Sequence, residues 1–428
     1  VAVHCTQAAD TCFCASTGDG PRAEAGFDLA LSESDAGFLV EIGSEPGSTV
    51  AAKLPLEAAP DGLAKAAGEE ITSAAKAQQR RLPSRNLRDT LFARLHAPHW
   101  DQVAERCLSC GHCNTCGGSS GGAAVALACG MLPLADGSDM GGSLRNPGNF
   151  CNIVGFRTSP GRVPVWPRLT GWFPISVQGP MARTVQDVAL MLSVIAGPDP
   201  RSPIAIAEPG SMLNRPLDRE FKGVKIAWSK DLGELPVDPR VTKVLESRRR
   251  VFEDLGCIVE EAQPDFSDAD EIFKVWRAWH FELQYRELLR DHRELIKDTV
   301  IWNVEEGQKL TGPQIGKAEI KRTELYHRVR EFMKNHDYLI CPVNQVPPFD
   351  INRRWVQEIN GVKMGTYIDW MKSCYYITVT GLPAISVPCG FTPQGLPVGM
   401  QIVGRHNDDF GVLQIAHAFE QATEVWQR

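Results

Sequence analysis

The chain reads Gly117-Gly-Ser-Ser-Gly-Gly-Ala-Ala-Val-Ala126 and, a short way on, Asp139-Met-Gly-Gly-Ser-Leu-Arg145. Glycine lets the backbone adopt positive φ and lets other groups approach it closely. The small apolar residues from 123 to 130 predict a buried helix, whose N-terminus would place positive dipole charge beneath the preceding serines. A flexible linker is the alternative interpretation of the first segment, but the ordered apolar pattern after it favours a structured loop.

Each of these two segments carries a serine framed by glycines, at Ser119 and at Ser143. A hydroxyl nucleophile needs a base that accepts its proton and N–H groups that hold the oxyanion. The second Gly-Gly-Ser places a hydroxyl on a turn with free backbone N–H groups. The two segments together therefore predict the first elements of one nucleophilic site.

Short apolar strands alternate with helices in the sequence around this centre. After Gly117 we expect strands at 224–228, 338–341, 384–389 and 397–403, the last two as a pair, and helices at 185–195, 239–255 and 411–423. Strands separated by helical stretches predict an α/β domain around a mixed sheet. Before residue 113, a strand-like run at 37–43 and a helical segment at 61–81 predict a small α+β fragment.

The composition excludes several classes of function. With a net charge of -7, the chain has no positive electrostatic field that would attract a polyanion, so nucleic acid is not an expected partner. No stretch approaches about 18 consecutive apolar residues, so we expect no membrane span. The first residues do not resemble a signal peptide, and Val1 in place of Met indicates a fragment or a processed product. Single cysteines among apolar residues indicate thiols in a reducing compartment, which predicts a cytoplasmic protein.

Longer motifs carry a resemblance to a known family. The chain contains GGSSGGAAVALACG, ADGSDMGGSLRNPGNFCNIVGFRTSPGRVP, SVQGPMARTVQDVALML, YLICPVNQVPPF, YITVTGLPAISVPCGF and GLPVGMQIVG. In this order they resemble the amidase signature family from about Thr115 to Arg428. The resemblance implies a mixed-sheet core with surrounding helices. It also implies hydrolysis of the carboxamide C–N bond of a small-molecule amide through an acyl-serine intermediate, without a cofactor. Assembly as a homo-oligomer is left open.

The resemblance also implies roles for individual residues. By position, the nucleophile of a Ser-Ser-Lys triad is Ser143, and the serine that relays its proton is Ser119, in a cis peptide. The backbone N–H groups of Met140, Gly141 and Gly142, with that of Ser143, would line the oxyanion hole. Ser120 is expected to hydrogen-bond the loop instead of reacting.

The family's lysine base has no clear counterpart in this sequence. In the family it lies on an earlier strand, in a context like G-[IV]-P-[LV]-x-[VI]-K-D, and residues 39–49 do not contain this motif. The nearest similar stretch is Ser48-Thr-Val-Ala-Ala-Lys53, which lacks the following Asp, and a solvated surface lysine is the alternative for Lys53. The resemblance therefore implies an amidase domain that lacks its usual N-terminal part, and an impaired enzyme.

Several other polar and aromatic residues are expected to support the site. Asp139 and Arg145 flank the nucleophile and are expected to pair, with a role in substrate binding as the alternative. Thr184 and Asp187 predict a helix N-cap, and Arg183 is expected to tether that helix. The substrate pocket would be formed around residues 266–320. Four aromatic residues are candidates for its lining, with packing in the core as the alternative: Trp302, Tyr367, Trp370 and Tyr375.

The N-terminal quarter resembles a different kind of protein. It contains HCTQAADTCFCAS, GFDLALSE, GFLVEIGSEPG and AERCLSCGHC. From Val1 to Cys113 these stretches resemble an iron–sulfur subunit of the sulfhydrogenase and anaerobic sulfite reductase type. Cys107, Cys110 and Cys113 have the spacing that opens a ferredoxin-type run, which implies ligands for a 4Fe-4S cluster. Cys116 follows one residue too early and without the usual Pro. Zinc binding by the thiols, and reduced thiols without a ligand, are the alternatives.

The two resemblances predict two domains, 1–113 and 114–428, joined between residues 112 and 115. A natural gene fusion and an error of sequence assembly both fit this pattern. The main functional hypothesis is an impaired amidase. An iron–sulfur electron-transfer protein that carries an inactive amidase remnant is one alternative, and an amidase scaffold without catalysis is another.

Overall fold

The computed structural model describes residues 2–4, 29–34, 37–52, 56–59, 62–77 and 114–425. The chain divides into two compact units, residues 1–102 and residues 103–428. The exact boundary predicted between residues 113 and 114 stays a prediction, because residues 78–113 lie outside the described ranges.

Within its described residues, the first unit combines a three-stranded sheet with two helices. Its strands are β1 (Ala2–His4), β2 (Leu29–Ser34) and β3 (Gly37–Ile42), and its helices are α1 (Glu45–Ala51) and α2 (Leu63–Ala77). Strand β2 pairs parallel with β1 and antiparallel with β3. The α2 sequence is amphipathic and buries Ala67 and Ile71, one turn apart. The α+β character predicted from the runs at 37–43 and 61–81 is confirmed over their described parts.

The second unit is built on an eight-stranded mixed sheet. Its strands are β4 (Leu134–Asp139), β5 (Val154–Arg157), β6 (Val177–Ala182), β7 (Lys225–Trp228), β8 (Ile258–Glu261), β9 (Tyr338–Pro342), β12 (Ala384–Phe391) and β13 (Pro397–Val403). They are ordered β4-β6-β5-β12-β13-β9-β7-β8. Strand β7 pairs parallel with both β8 and β9, and the other pairs are antiparallel. A small separate hairpin is formed by β10 (Glu358–Ile359) and β11 (Val362–Lys363).

Helices cover both faces of this sheet. They are α3 (Gly121–Ala128), α4 (Arg145–Phe150), α5 (Val185–Ile195), α6 (Pro239–Glu246), α7 (Arg249–Asp254), α8 (Ala269–His292), α9 (Asp298–Gln308), α10 (Gly312–Phe332), α11 (Lys372–Thr380) and α12 (Asp409–Thr423). Short 3₁₀ turns lie at Gly210–Leu213, Arg293–Leu295 and Asp369–Met371. The α/β class predicted for this region, a mixed sheet with surrounding helices, is confirmed.

Alternation along the strands divides the core into two layers. Neighbouring residues of a strand point to opposite faces of the sheet. Ile340 and Ile402 accordingly pack in one hydrophobic cluster with residues of α5 and α12, while their neighbours Leu339 and Val403 pack in another with residues of α8, α10 and α11. This second layer places α8 beside the site described below.

The predicted pairing of 384–389 with 397–403 is confirmed, since β12 and β13 are antiparallel with Ala384 opposite Val403. The predicted helix cap is also confirmed. Thr184 Oγ1 accepts from the Asp187 N–H at 3.2 Å and donates to the Asp187 carboxylate at 2.8 Å, and α5 begins at Val185. Arg183, two residues before α5, donates to the carbonyls of Leu127 and Leu132, both at 3.0 Å, and so ties the start of α5 to the end of α3 and the loop after it, as expected.

The single helix predicted over 239–255 is wrong, because the chain forms α6 and α7 with a break at Ser247 and Arg248. The Ser247 hydroxyl donates to the Val244 carbonyl at 2.7 Å, and the Arg248 N–H bonds the Leu245 carbonyl at 2.9 Å in a tighter turn. The Arg248 side chain donates to the Cys389 carbonyl of β12 at 2.7 Å. This tertiary contact is not visible in a helical pattern.

Candidate active site

The two glycine-rich segments meet in the structure. The Ser120 N–H donates to the Ser143 carbonyl oxygen at 3.2 Å. The Ser120 hydroxyl accepts from the Ser138 N–H at 3.3 Å and donates to the Ser138 carbonyl at 3.4 Å, at the end of β4. Ser120 therefore holds the loop, as predicted. The peptide bond between Gly118 and Ser119 is cis, as the resemblance implies.

Ser143 lies on the tight turn that joins the end of β4 to the start of α4. Gly142 in this turn has a φ of +114°, and a Cβ built there would lie 2.6 Å from Cys374 Cβ. A Cβ at Gly141 would lie 3.0 Å from the Phe273 ring. The turn thus needs glycine at position 142, because any side chain would be strained by the backbone and would overlap α11.

A buried carboxylate fixes the backbone of this turn. Asp139 is fully buried and accepts from the N–H groups of Gly142 at 2.9 Å and Leu144 at 3.3 Å. Arg145 donates to the same carboxylate through Nε at 3.0 Å and through a terminal nitrogen at 2.9 Å. Arg157 adds a third contact at 3.3 Å. The predicted pairing of Asp139 with Arg145 is confirmed, and Arg157 is an additional partner that the sequence did not indicate.

This cluster keeps its charges although it lies in the core. Burial by itself would raise the pKa of Asp139, but the two guanidiniums and the Gly142 N–H hold it well below its usual range. Burial lowers the pKa of Arg157 to about 10, against the attraction of Asp139. Arg145 is further bonded to Gln401 Oε1 at 2.5 Å and to the Cys374 carbonyl at 2.9 Å. The turn that carries Ser143 is therefore tied to both α11 and β13.

One of the backbone N–H groups implied for the oxyanion hole already forms a hydrogen bond within the protein. The Gly142 N–H donates to Asp139, so its hydrogen is directed toward the carboxylate. We therefore assign Gly142 to holding the turn, and the N–H groups of Met140, Gly141 and Ser143 remain candidates for binding an oxyanion.

A cavity of about 920 Å³ opens at this turn, and Ser119 and Ser143 both line it. Met140 and Gly141 line it as well. Basic and aromatic side chains form much of the remaining wall: Arg168, Arg277, His280, Phe281, Tyr285, Phe349, Arg354, Trp355, Tyr367 and Trp370. Of the residues that the structure describes, no Lys, Asp or Glu lines this cavity. Lys53 lies outside the described residues.

The aromatic candidates divide between wall and core. Tyr367 and Trp370 line the cavity. Tyr375 is a core residue, because it is fully buried, stacks on Phe273 at 4.2 Å between ring centroids and donates to Asp270 at 2.5 Å. Trp302 packs edge-on against Tyr367, with 5.8 Å between ring centroids, and lines a smaller neighbouring cavity.

Sequence patterns alone did not identify the basic residues that α8 places in the wall. Arg277 donates to Asn303 Oδ1 at 3.0 Å and to the Tyr367 hydroxyl at 2.8 Å. His280, one turn further along, stacks on Phe173 at 4.7 Å between ring centroids. Cavity-lining residues recur three and four apart at positions 277, 280, 281, 284, 285 and 288, and this spacing is the signal that was available.

The described residues do not include the three cysteines suggested as ligands of an iron–sulfur cluster. Cys107, Cys110 and Cys113 lie outside the described residues, so the iron–sulfur interpretation stays a prediction. Within the described ranges, no group of three or more His, Cys, Asp or Glu side chains is placed to hold a metal ion. The helices in those ranges are also too short or too polar to cross a membrane.

The chain is similar to proteins that act on amides. It is 35% identical over 319 residues to an acylamidase of Rhodococcus erythropolis, across 73% of this chain and 66% of that protein. It is 34% identical over 340 residues to a glutamyl-tRNA(Gln) amidotransferase subunit of Geobacillus kaustophilus, across 72% of this chain and 67% of that one. The chain thus spans about two thirds of the length of these relatives.

A solved structure has the same fold. A bacterial aryl acylamidase of the amidase signature enzymes superimposes with a TM-score of 0.68 at 29% identity, over 73% of this chain and 67% of that one. The model of the Amidase family matches residues 111–413, which include both glycine-framed serines and the strands and helices that position them. Because this match covers well over half of the 428 residues, the chain belongs to the amidase signature family.

Proposed function

We propose that this chain is an amide hydrolase in which Ser143 is the nucleophile and Ser119 relays its proton. The observation that carries the proposal is that both serines line one cavity on backbone turns joined by the Ser120–Ser143 hydrogen bond. The similarity to an acylamidase and to an aryl acylamidase favours an N-acyl amide as the substrate.

The proposed reaction has two steps. The Ser143 hydroxyl attacks the amide carbonyl carbon, and its proton passes through the Ser119 hydroxyl to the leaving nitrogen as the C–N bond breaks. The N–H groups of Met140, Gly141 and Ser143 would stabilise the oxyanion that forms. Water then attacks the acyl-Ser143 ester, which releases the carboxylic acid and restores the hydroxyl.

We further propose that this chain hydrolyses its substrate slowly. The family's lysine motif is not found in residues 39–49, and no lysine among the described residues lines the cavity. A serine without a base to accept its proton reacts poorly. Loss of one member of a catalytic triad reduces kcat by roughly 10⁴-fold or more, and we expect a defect of that order here.

Covalent labelling of the full chain tests this function. A fluorophosphonate probe reacts with an activated serine without requiring turnover, so it detects the nucleophile even in a slow enzyme. We expect slow labelling that is lost in Ser143→Ala, much reduced in Ser119→Ala and retained in the control Ser193→Ala, whose exposed hydroxyl bonds the Leu190 carbonyl. Labelling that persists unchanged in Ser143→Ala contradicts the proposal. Hydrolysis of 4-nitroacetanilide, followed by release of 4-nitroaniline, then measures kcat.

An iron–sulfur electron-transfer role is the alternative that the cysteines of residues 1–113 suggest. Its support is the spacing of Cys107, Cys110 and Cys113. Protein purified anaerobically would then contain iron and absorb near 400 nm, and Cys107→Ser would remove both signals. Iron-free, colourless protein rules this alternative out. Assembly as a homo-oligomer and location in the cytoplasm stay predictions.

A further inference from the structure

We propose that the substrate of this hydrolase carries a carboxylate group, which Arg277 and Arg168 bind inside the cavity that contains Ser143. The inference rests on the proposed hydrolase function and adds the chemical class of the substrate: an anionic amide with an apolar or aromatic body.

Arg277 is held in place by neutral partners. Its Nε donates to Asn303 Oδ1 at 3.0 Å, and one terminal nitrogen donates to the Tyr367 hydroxyl at 2.8 Å. Its other terminal nitrogen contacts Met140 Sδ at 3.8 Å, which is a weak acceptor. The guanidinium is therefore fixed beside the nucleophile turn while one of its ends remains available to a stronger acceptor.

Arg168 reaches the same cavity from the loop before β6. A terminal nitrogen donates to the Ser176 carbonyl at 3.0 Å, again a neutral partner. Both guanidiniums act on His280, which also lines the cavity. Burial, followed by the charges of Arg168 and Arg277, lowers the pKa of His280 to about 4. The two cations and the imidazole thus share one region of the wall.

The charge of these two arginines is not neutralised within the described part of the chain. No described carboxylate forms an ion pair with Arg168 or Arg277, and none lines the cavity. Arg354, the third arginine of the wall, differs because it pairs with Asp298 at 2.5 Å. Two fixed, partly desolvated guanidiniums without a counter-ion attract an anion and bind a carboxylate through charge-assisted hydrogen bonds.

The wall beside Arg277 suits an apolar substrate body. The guanidinium lies 4.3 Å from the centroid of Phe281, and Tyr367 and Trp370 line the same cavity. A ligand that combines a carboxylate with an aromatic ring therefore meets both kinds of surface at once.

Binding of matched ligands tests the inference independently of turnover. Isothermal titration calorimetry on the full chain, in the Ser143→Ala background, compares 4-phenylbutyrate with the neutral 4-phenylbutyramide. We expect the carboxylate to bind about tenfold or more tightly. Arg277→Gln and Arg168→Gln should each weaken carboxylate binding about tenfold and change amide binding less than about twofold. Arg277→Lys keeps the charge but not the planar guanidinium, so its affinity for the carboxylate should lie between those of the parent protein and of Arg277→Gln.

Arg354→Gln is the matched control, because its charge is already paired with Asp298, and it should keep the preference for the carboxylate. The inference is overturned if the amide binds as tightly as the carboxylate, if neither ligand binds, or if Arg354→Gln removes the preference as fully as Arg277→Gln. If the carboxylate shows no preference in calorimetry while the fluorophosphonate probe still labels the wild type, only the proposed substrate class is rejected. Loss of labelling with intact carboxylate binding rejects only the hydrolase.

Discussion

The Ser120 N–H group donates to the Ser143 carbonyl oxygen at 3.2 Å, so the loop that carries Ser119 is bonded directly to the turn that carries Ser143. The Ser120 hydroxyl also bonds the backbone of Ser138 and so attaches the loop to the end of β4. The relative positions of the two proposed reactive serines therefore depend on a residue that is not itself expected to react.

Ser120→Ala tests this supporting role. The substitution removes both hydroxyl bonds to Ser138 and leaves the backbone bond to Ser143 in place, so we expect a loss of about 1–2 kcal/mol in the free energy of unfolding. Urea denaturation measures it. Ser193→Ala is the control, since that hydroxyl is exposed and bonds only the Leu190 carbonyl of its own helix. An unchanged stability for Ser120→Ala would show that its hydroxyl does not support the loop.

Gly142→Ala is expected to disrupt the turn that carries Ser143. The methyl group would lie 2.6 Å from Cys374 Cβ, on a backbone with a φ of +114°. We expect a loss of at least about 2–3 kcal/mol and loss of fluorophosphonate labelling. Gly122→Ala provides the matched control, because its position in α3 has open space for a Cβ and alanine favours a helix. Equal stability of the two variants would contradict the close contact with α11.

Asp139→Asn should be among the most destabilising single changes in this unit. It leaves Arg145 and Arg157 as buried cations without a counter-ion, and breaking such a buried pair costs about 3–5 kcal/mol. Because the folded pKa of Asp139 lies below its unfolded value, its contribution to stability is present above about pH 4 and is lost as the pH falls further. Denaturation at pH 7 therefore measures the full loss.

The exposed pair between Arg290 and Asp291 gives the comparison for this prediction, because surface ion pairs contribute little. Asp291→Asn should leave the stability nearly unchanged at pH 7. If Asp139→Asn is equally mild, the buried cluster does not hold the turn in the way described.

Local sequence signals were sufficient for much of the fold. The β12–β13 pair and the Thr184 cap depend on residues close together in the chain, so their patterns predicted them directly. The pairing of Asp139 with Arg145 is local as well. The motifs around Ser119 and Ser143 identified the candidate site because glycine-framed hydroxyls constrain both backbone and chemistry.

Tertiary contacts decided what local patterns could not. Arg277 acquires its position from Asn303 on α9 and from Tyr367, both distant in sequence. Arg157 joins Asp139 across the sheet, and Arg248, at the break in the helix expected over 239–255, bonds the Cys389 carbonyl of β12. No periodicity within a single segment contains these contacts, because each is created by the packing of separate elements.

The buried His280 makes the stability of the folded chain sensitive to acid. Burial and the two neighbouring guanidiniums lower the pKa of His280 to about 4, whereas an unfolded histidine has a pKa near 6.5. Between these values the unfolded chain binds a proton that the folded chain does not, so stability decreases as the pH falls from about 6.5 toward 4. His280→Gln removes this difference. We therefore expect the Tm of the variant to fall by roughly 2 °C less than that of the wild type between pH 7 and pH 5.

Groups that titrate in both proteins contribute equally and cancel in the comparison. The stability lost by removing the His280 ring, which stacks on Phe173, does not depend on pH and cancels as well. Parallel Tm profiles for the two proteins would show that His280 is protonated as readily in the folded chain as in the unfolded one, and would contradict a buried imidazole beside two cations.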